Sequence, residues 1–194
     1  TEALTITGLR IGDVWVCAGQ SNMAFPLANA DEGPALAETA GDPRLRLLTV
    51  PRLAPEEPLT SLPETVTWEA DTPGTALAFS AVAYFFGRAL RQAGRGPLGL
   101  IHAAVGATPA ESWLPRACLT ANPAFEPILA RWQHSLALFP DAAGTVAAAF
   151  KVWDGETDLA EREGRPIPGP QPKLIGPGHP WTPGGLWNGM IAPL

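Results

Sequence analysis

The chain has 194 residues, 46% of them apolar and only 16% charged, which excludes a disordered chain and suits one well-buried domain. Its formal charge of −6 argues against nucleic acid or an anionic membrane as the main partner, although a local arginine can still face an anionic sugar. No apolar run approaches the roughly 20 residues of a membrane span, and Thr1-Glu2-Ala3-Leu4 lacks the basic and apolar regions of a signal peptide.

Residues 3–11 alternate like an exposed edge strand, so 1–11 reads as that strand or as the tail of a preceding domain, with the domain proper at 12–194. Val14 to Ala18 has strand character and runs into Gly19. Residues 22–40 tolerate helix but are interrupted by Pro26, Gly33 and Pro34. Arg44 to Val50 reads as a second strand closed by Pro51. A proline-rich passage follows over 51–75, with Trp68 as its one large anchor; a loop of that length is usually functional or packs as a unit. Over 80–94, Val82, Phe85, Phe86, Ala89, Leu90 and Ala93 repeat at the spacing of an apolar helix stripe, with Ser80 to cap the start and Gly94 to end it. Leu98 to Ala103 is a third, buried strand. Strand, helix and strand in that order predict a parallel crossover sheet.

Residues 122–164 read as helical. Asn122 caps, Pro123 occupies the first turn, and Phe125, Ile128, Leu129, Trp132, Leu136 and Phe139 fall on one face. A second, weaker helix carries Val146, Phe150 and Trp153. The pair is expected as a helical hairpin inserted between sheet elements, either packing in the ordinary way or roofing a site. The segment 164–185 is too rich in Gly and Pro for regular structure. The last residues, Met190-Ile191-Ala192-Pro193-Leu194, are apolar, and a natural domain seldom stops in such a stretch, so a truncated chain is expected.

The stretch Gly19-Gln20-Ser21-Asn22-Met23 has two readings. A strand that ends at a glycine and turns sharply can hold the Ser21 hydroxyl at the sheet edge with its N–H free, at the positive end of a following helix, as nucleophilic acyl transfer requires. The commoner fate of such a serine is to cap the helix. Gly106 lies just past its strand as Gly19 does, at the sheet edge where open α/β folds bind ligands; an ordinary turn glycine is the alternative. Met23 stands where a Gly-x-Ser-x-Gly elbow needs its second glycine, so the α/β-hydrolase reading fails. Gly94-Arg95-Gly96-Pro97-Leu98-Gly99 spells the dinucleotide fingerprint but precedes a strand instead of following one. No phosphate loop, His-Glu-x-x-His or EF-hand pattern is present, so neither a metal nor another cofactor is implied. Cys17 and Cys118 either pair or serve as separate small hydrophobes.

Gly12-Asp13-Val14-Trp15-Val16-Cys17-Ala18-Gly19-Gln20-Ser21-Asn22-Met23 resembles the first block of the sialate O-acetylesterase family, a branch of the SGNH hydrolases. Gly106-Ala107-Thr108-Pro109-Ala110-Glu111-Ser112-Trp113 is similar to a second block, in which the family usually reads Gly-Gly-Thr. Leu186-Trp187-Asn188-Gly189-Met190-Ile191-Ala192-Pro193-Leu194 is similar to a third. The resemblance implies an α/β fold, a three-layer sandwich with a mainly parallel sheet, incomplete in this chain. It implies Ser21 as nucleophile, the Ser21 and Gly106 N–H groups as oxyanion donors, and Gln20, Asn22 and Trp113 as substrate-binding residues. Trp113 has a commoner alternative as a core residue, and Glu111 is better suited to holding its loop than to acid catalysis. Ala107 departs from the family's second glycine, so a methyl group either narrows the pocket or bars a backbone angle with φ > 0.

A serine hydrolase needs a histidine to take the hydroxyl proton and a carboxylate to orient it. Only His102, His134 and His179 are present. His134 falls on the helical stretch, and His102 reads best as a buried histidine. His179-Pro180 resembles the family's Asp-x-x-His-Pro block, but Gly176 stands at the Asp position, and the family's Trp-Tyr-Gln-Gly-Glu-Ser-Asn block is absent. The resemblance therefore covers the N-terminal part of a catalytic domain, with the missing C-terminal part of that domain as its partner and an O-acetylated sugar as substrate. A periplasmic or extracellular setting is implied by the resemblance alone. A xylan or other polysaccharide acetylesterase, and a non-catalytic carbohydrate-binding module in which Trp68 or Trp113 stacks on sugar, are the alternatives to an esterase of acetylated sialic acid.

Overall fold

The computed structural model describes residues 7–164, 166 and 175–194. The chain divides into two compact units. One comprises Thr1–Arg52, Thr60–Thr108 and Pro193–Leu194; the other comprises Leu53–Leu59 and Pro109–Ala192.

The first unit holds a four-stranded, mostly parallel sheet with helices, in the strand order β1-β4-β2-β3. Its strands are β1 (Asp13–Gly19), β2 (Leu45–Thr49), β3 (Glu69–Ala70) and β4 (Leu98–Ala104). β4 lies between β1 and β2 and is parallel to both, with Cys17 and Thr49 each in register with His102. β4 is the apolar, almost wholly buried strand that a parallel sheet requires on both faces. β1 occupies the edge of the sheet. Of its seven residues only Cys17 is buried, and Val14, Trp15 and Val16 are exposed. β3, two residues pairing antiparallel with β2, lies within the proline-rich passage, whose other regular element is a short helix. Residues 7–12 form no strand, because Gly8 takes a left-handed turn with φ +73; the rest of the predicted edge strand lies outside the described residues.

Three short helices, α1 (Ser21–Ala24), α2 (Gly33–Glu38) and α3 (Pro73–Ala78), precede α4 (Ala81–Gln92). α3 starts with a reciprocal cap between Thr72 and Thr75, and α4 with Ser80 Oγ accepting from the Ala83 N–H at 3.2 Å. The apolar stripe read from the sequence is not the buried face of α4. Val82, Phe85 and Phe86 are exposed, and Ala81, Ala83, Tyr84 and Gly87 face the core. Small residues win that face because they let the helix lie close on β4: a Cβ on Gly87 would stand 2.6 Å from a Leu100 methyl. Phe86 instead meets the Trp15 ring edge-on at 5.1 Å. Tyr84 donates to Asp71 Oδ1 at 2.8 Å, and Asp71 Oδ2 accepts from the Gly41 and Asp42 N–H groups at 2.9 Å each. Burial and the Asp71 carboxylate push the Tyr84 pKa up to about 12.

The second unit contains α5 (Arg116–Ala121) and α6 (Glu126–Glu163), the latter 38 residues long. Asn122 Oδ1 accepts from the Ala124 N–H at 3.0 Å and caps a 3-10 turn over Pro123–Phe125 that leads into α6. A single continuous helix replaces the expected hairpin. Pro140 removes one N–H, but the alanine-rich run after it has enough helix propensity to carry the helix on. The chain closes on a π turn at Trp187–Ile191, where Asn188 Nδ2 donates to the Pro55 and Glu56 carbonyls at 3.2 and 2.7 Å. Cys17 and Cys118 are both free thiols, the first buried and the second exposed.

Candidate active site

At the carboxyl ends of β1 and β4 the chain turns sharply twice, and the two turns meet. The Val105 N–H donates to the Gly19 carbonyl at 3.1 Å, which ties the end of β4 to the end of β1. Gly19 is required by close approach, since a Cβ there would stand 3.2 Å from the Met23 Cβ in the following turn. Ser21 then opens α1. Gln20 takes the cap position, no side chain caps the helix, and the Ser21 residue is exposed. The capping alternative for Ser21 is therefore not what this turn adopts. α1 is only four residues long, so its dipole adds little beyond the local N–H groups.

Gly106 lies directly against the serine. A Cβ on residue 106 would be 3.1 Å from Ser21 Oγ, closer than most real Cβ contacts, and 3.6 Å from its Cα, an ordinary contact. Ala107 follows at φ +57. The left-handed angle that its methyl group was expected to resist is present nonetheless, at a strain of about 1–2 kcal/mol for a non-glycine residue. The loop is held from both sides. Thr108 Oγ1 donates to the Val105 carbonyl at 2.8 Å, and Gln20 Nε2 donates to the Thr108 carbonyl. Gln20 thus links the serine turn to the glycine loop, and Asn22 is exposed beside it. Thr108, buried to 2% exposure, is the positioning residue that the sequence did not single out. Nothing in the letters marks a buried threonine whose work is done through its own backbone.

His102 sits on β4 with its ring edge-on to Phe79 at 5.5 Å. Both ring nitrogens are buried and make no hydrogen bond of ordinary geometry, so neither is bonded to the Ser21 hydroxyl. Burial lowers its pKa, opposed in part by the Met23 backbone.

The second unit places Glu111 and the half-buried Trp113 on a 3-10 turn at Ala110–Trp113. The Glu111 carbonyl accepts from the Gly184 N–H at 2.9 Å, and its carboxylate pairs with Arg131 at 3.5 Å, a bracing role. Those two side chains line a cavity of about 340 Å³ with Trp132 and Trp181. His134 is exposed on α6, and His179 Nδ1 accepts from the Trp181 N–H at 3.1 Å. Among the described residues, no group of three or more metal-ligating side chains is found.

The family model described as carbohydrate esterase, sialic acid-specific acetylesterase matches residues 11–165. The chain belongs to this family. It is 33% identical to the sialate O-acetylesterase of Mus musculus over 125 residues, 61% of the chain but 23% of that protein. The Homo sapiens sialate O-acetylesterase is also 33% identical, over 117 residues, 57% of the chain and 22% of the human protein. Among solved structures, a carbohydrate acetylesterase from Xanthomonas citri is similar with a TM-score of 0.53 and 38% identity, over 56% of this chain and 25% of that one. The chain thus spans about a quarter of the length of the curated relatives it matches.

Proposed function

We propose that the complete protein removes O-acetyl groups from sialic acid with Ser21 as its nucleophile. Ser21 Oγ attacks the acetyl carbonyl carbon as a base takes the hydroxyl proton. The oxyanion is met by the backbone N–H groups of Ser21 and Gly106. Collapse of the tetrahedral intermediate releases the sugar hydroxyl, which regains the proton, and water then hydrolyses the acetyl-serine to acetate. The base and its orienting carboxylate come from outside these 194 residues, because His102 is committed to the interior and no Asp-x-x-His is present. The observation that supports this reading above the others is the contact of Gly106 with the hydroxyl of an exposed, uncapped serine. Gln20 and Asn22 would flank the acetyl group, and Trp113 would contribute to holding the sugar.

The test is labelling of the complete protein with a fluorophosphonate, together with acetate release from O-acetylated sialic acid. Both are expected to vanish in Ser21→Ala. Labelling that survives the substitution, or none in the wild type, rejects the serine mechanism and favours a binding module. Release from acetylated xylan but not from acetylated sialic acid would move the substrate to a neutral polysaccharide. The 194-residue chain alone is expected to turn over p-nitrophenyl acetate negligibly. Robust turnover abolished by Ser21→Ala would place a working base within it.

A further inference from the structure

The opposite end of the same sheet carries a second feature that esterase chemistry does not use. Trp68, just before β3, lays its ring on the backbone of the central strand. A Cβ on Gly99 would stand 2.9 Å from the Trp68 Cη2 and 3.1 Å from its Cζ3. Glycine is costly inside a strand, and here its missing side chain is the space that the indole fills. One part of the ring is thereby fixed, and the residue is still 44% exposed. It borders a groove of about 510 Å³ whose other walls include Asp13, Val14, Arg10, Arg44 and Arg46.

Three guanidinium groups against one carboxylate give this groove a local charge opposite to the chain's overall −6. Arg46 is anchored, with Nη1 donating to the Pro43 and Leu45 carbonyls at 3.0 Å each, which orients its remaining donors. Arg44 is weakly held, 3.9 Å from an Asp42 carboxylate that Arg91 engages at 2.7 Å. Arg10 makes one long bond to the Leu9 carbonyl, at 3.4 Å. A pinned aromatic platform flanked by guanidinium groups offers stacking to the apolar face of a ring and forked hydrogen bonds to a carboxylate. The net negative charge disfavours an extended polyanion in the same place.

We infer that this groove is a non-catalytic binding site for a carboxylated sugar, with Trp68 stacking on the pyranose and Arg44 and Arg46 receiving its carboxylate. β1 runs seven residues from Asp13 in the groove to Gly19 beside the serine turn. The two sites therefore stand roughly 20 Å apart at 3.3 Å per residue. Sialic acid is the chosen probe because of the family reading; the site itself needs no esterase activity.

The experiment titrates the complete protein with the methyl α-glycoside of N-acetylneuraminic acid, using methyl glucoside as the neutral control. Binding is followed by calorimetry and by the indole N–H resonance of Trp68. Saturable binding of the acidic sugar is expected, weakened by about tenfold or more in Trp68→Ala, or about 1.4 kcal/mol. The double variant Arg44→Gln/Arg46→Gln, with its fold checked by circular dichroism, is expected to lose the preference for the acidic sugar. Ser21→Ala is expected to bind as the wild type does. Absence of binding in the wild type, affinities unchanged in both groove variants, or loss of binding in Ser21→Ala each overturns the inference. Fluorophosphonate labelling of Ser21 without sugar binding in the groove would leave the esterase reading standing alone, and binding without labelling would do the reverse.

Discussion

The two ends of the sheet are built by opposite rules. At the amino end of β2, polar groups are paired: Asp71 accepts three hydrogen bonds, and Arg91 is locked to Asp42 at 2.7 Å, which holds the Asp42 carboxyl below its usual range against the effect of burial. At the carboxyl end the chain tolerates what a stable fold avoids. Ala107 has a left-handed backbone, the buried ring nitrogens of His102 make no hydrogen bond of ordinary geometry, and a Cβ on Gly106 would crowd the Ser21 hydroxyl. Local strain of this sort persists only where the surrounding structure over-determines it.

That contrast can be broken by substitution. The largest effect is expected from Asp71→Ala, which leaves two backbone N–H groups and a buried tyrosine hydroxyl without an acceptor. Chemical denaturation should show a loss of about 3–4 kcal/mol, with Asp71→Asn restoring much of it. A loss under about 1 kcal/mol would mean the amino end is not the anchor described. Next comes Gly106→Ala. Its methyl group would force Ser21 Oγ or the loop to shift by a few tenths of an ångström. In the complete protein kcat/KM for acetate release should fall about a hundredfold with the melting temperature little changed. Unaltered activity would separate Gly106 from catalysis.

A smaller effect concerns pH. His102 has a folded-state pKa below its unfolded value of about 6.5, so the unfolded chain binds more protons and stability falls as pH drops below that value. His102→Gln should flatten the slope of the denaturation midpoint between pH 7 and pH 5, values bracketing the ordinary histidine range. An unchanged slope would show that another group sets it. The smallest effect is expected from Ala107→Gly. Relief of left-handed strain is largely offset by the freer unfolded chain, leaving a gain below about 1 kcal/mol. Destabilisation would show that the methyl group packs usefully where it stands.

How far this could be read from the letters depended on which physical signal each element carries. β1, β2 and β4 were legible because short apolar runs bounded by Gly and Pro have few other fates. The parallel strands placed Gly19 and Gly106 at one sheet edge, but the pairing of Ser21 with Gly106 was legible through family resemblance, since no periodicity links residues 85 positions apart. The buried face of α4 was misread because hydrophobicity favours Phe85 and Phe86, whereas closeness to the sheet favours Ala83 and Gly87. The weaker apolar pattern of Val146, Phe150 and Trp153 read as a second helix, and a hairpin was expected where one helix runs. The two pairs of β3 are too few to leave any pattern. The left-handed turn at Ala107 was raised only as a question, because the strain of one residue is set by the loop's other bonds.

β1 is an edge strand of the sheet. Among the described residues β1 pairs with β4 alone, so its other side is an unpaired strand edge bordered by the exposed Val14, Trp15 and Val16, and the strand itself contains no proline or lysine. A surface of that kind templates strand addition. Prepared alone at high concentration, this polypeptide should be a sticky object, and the turn that carries Ser21 hangs from the very ribbon whose flank is bare.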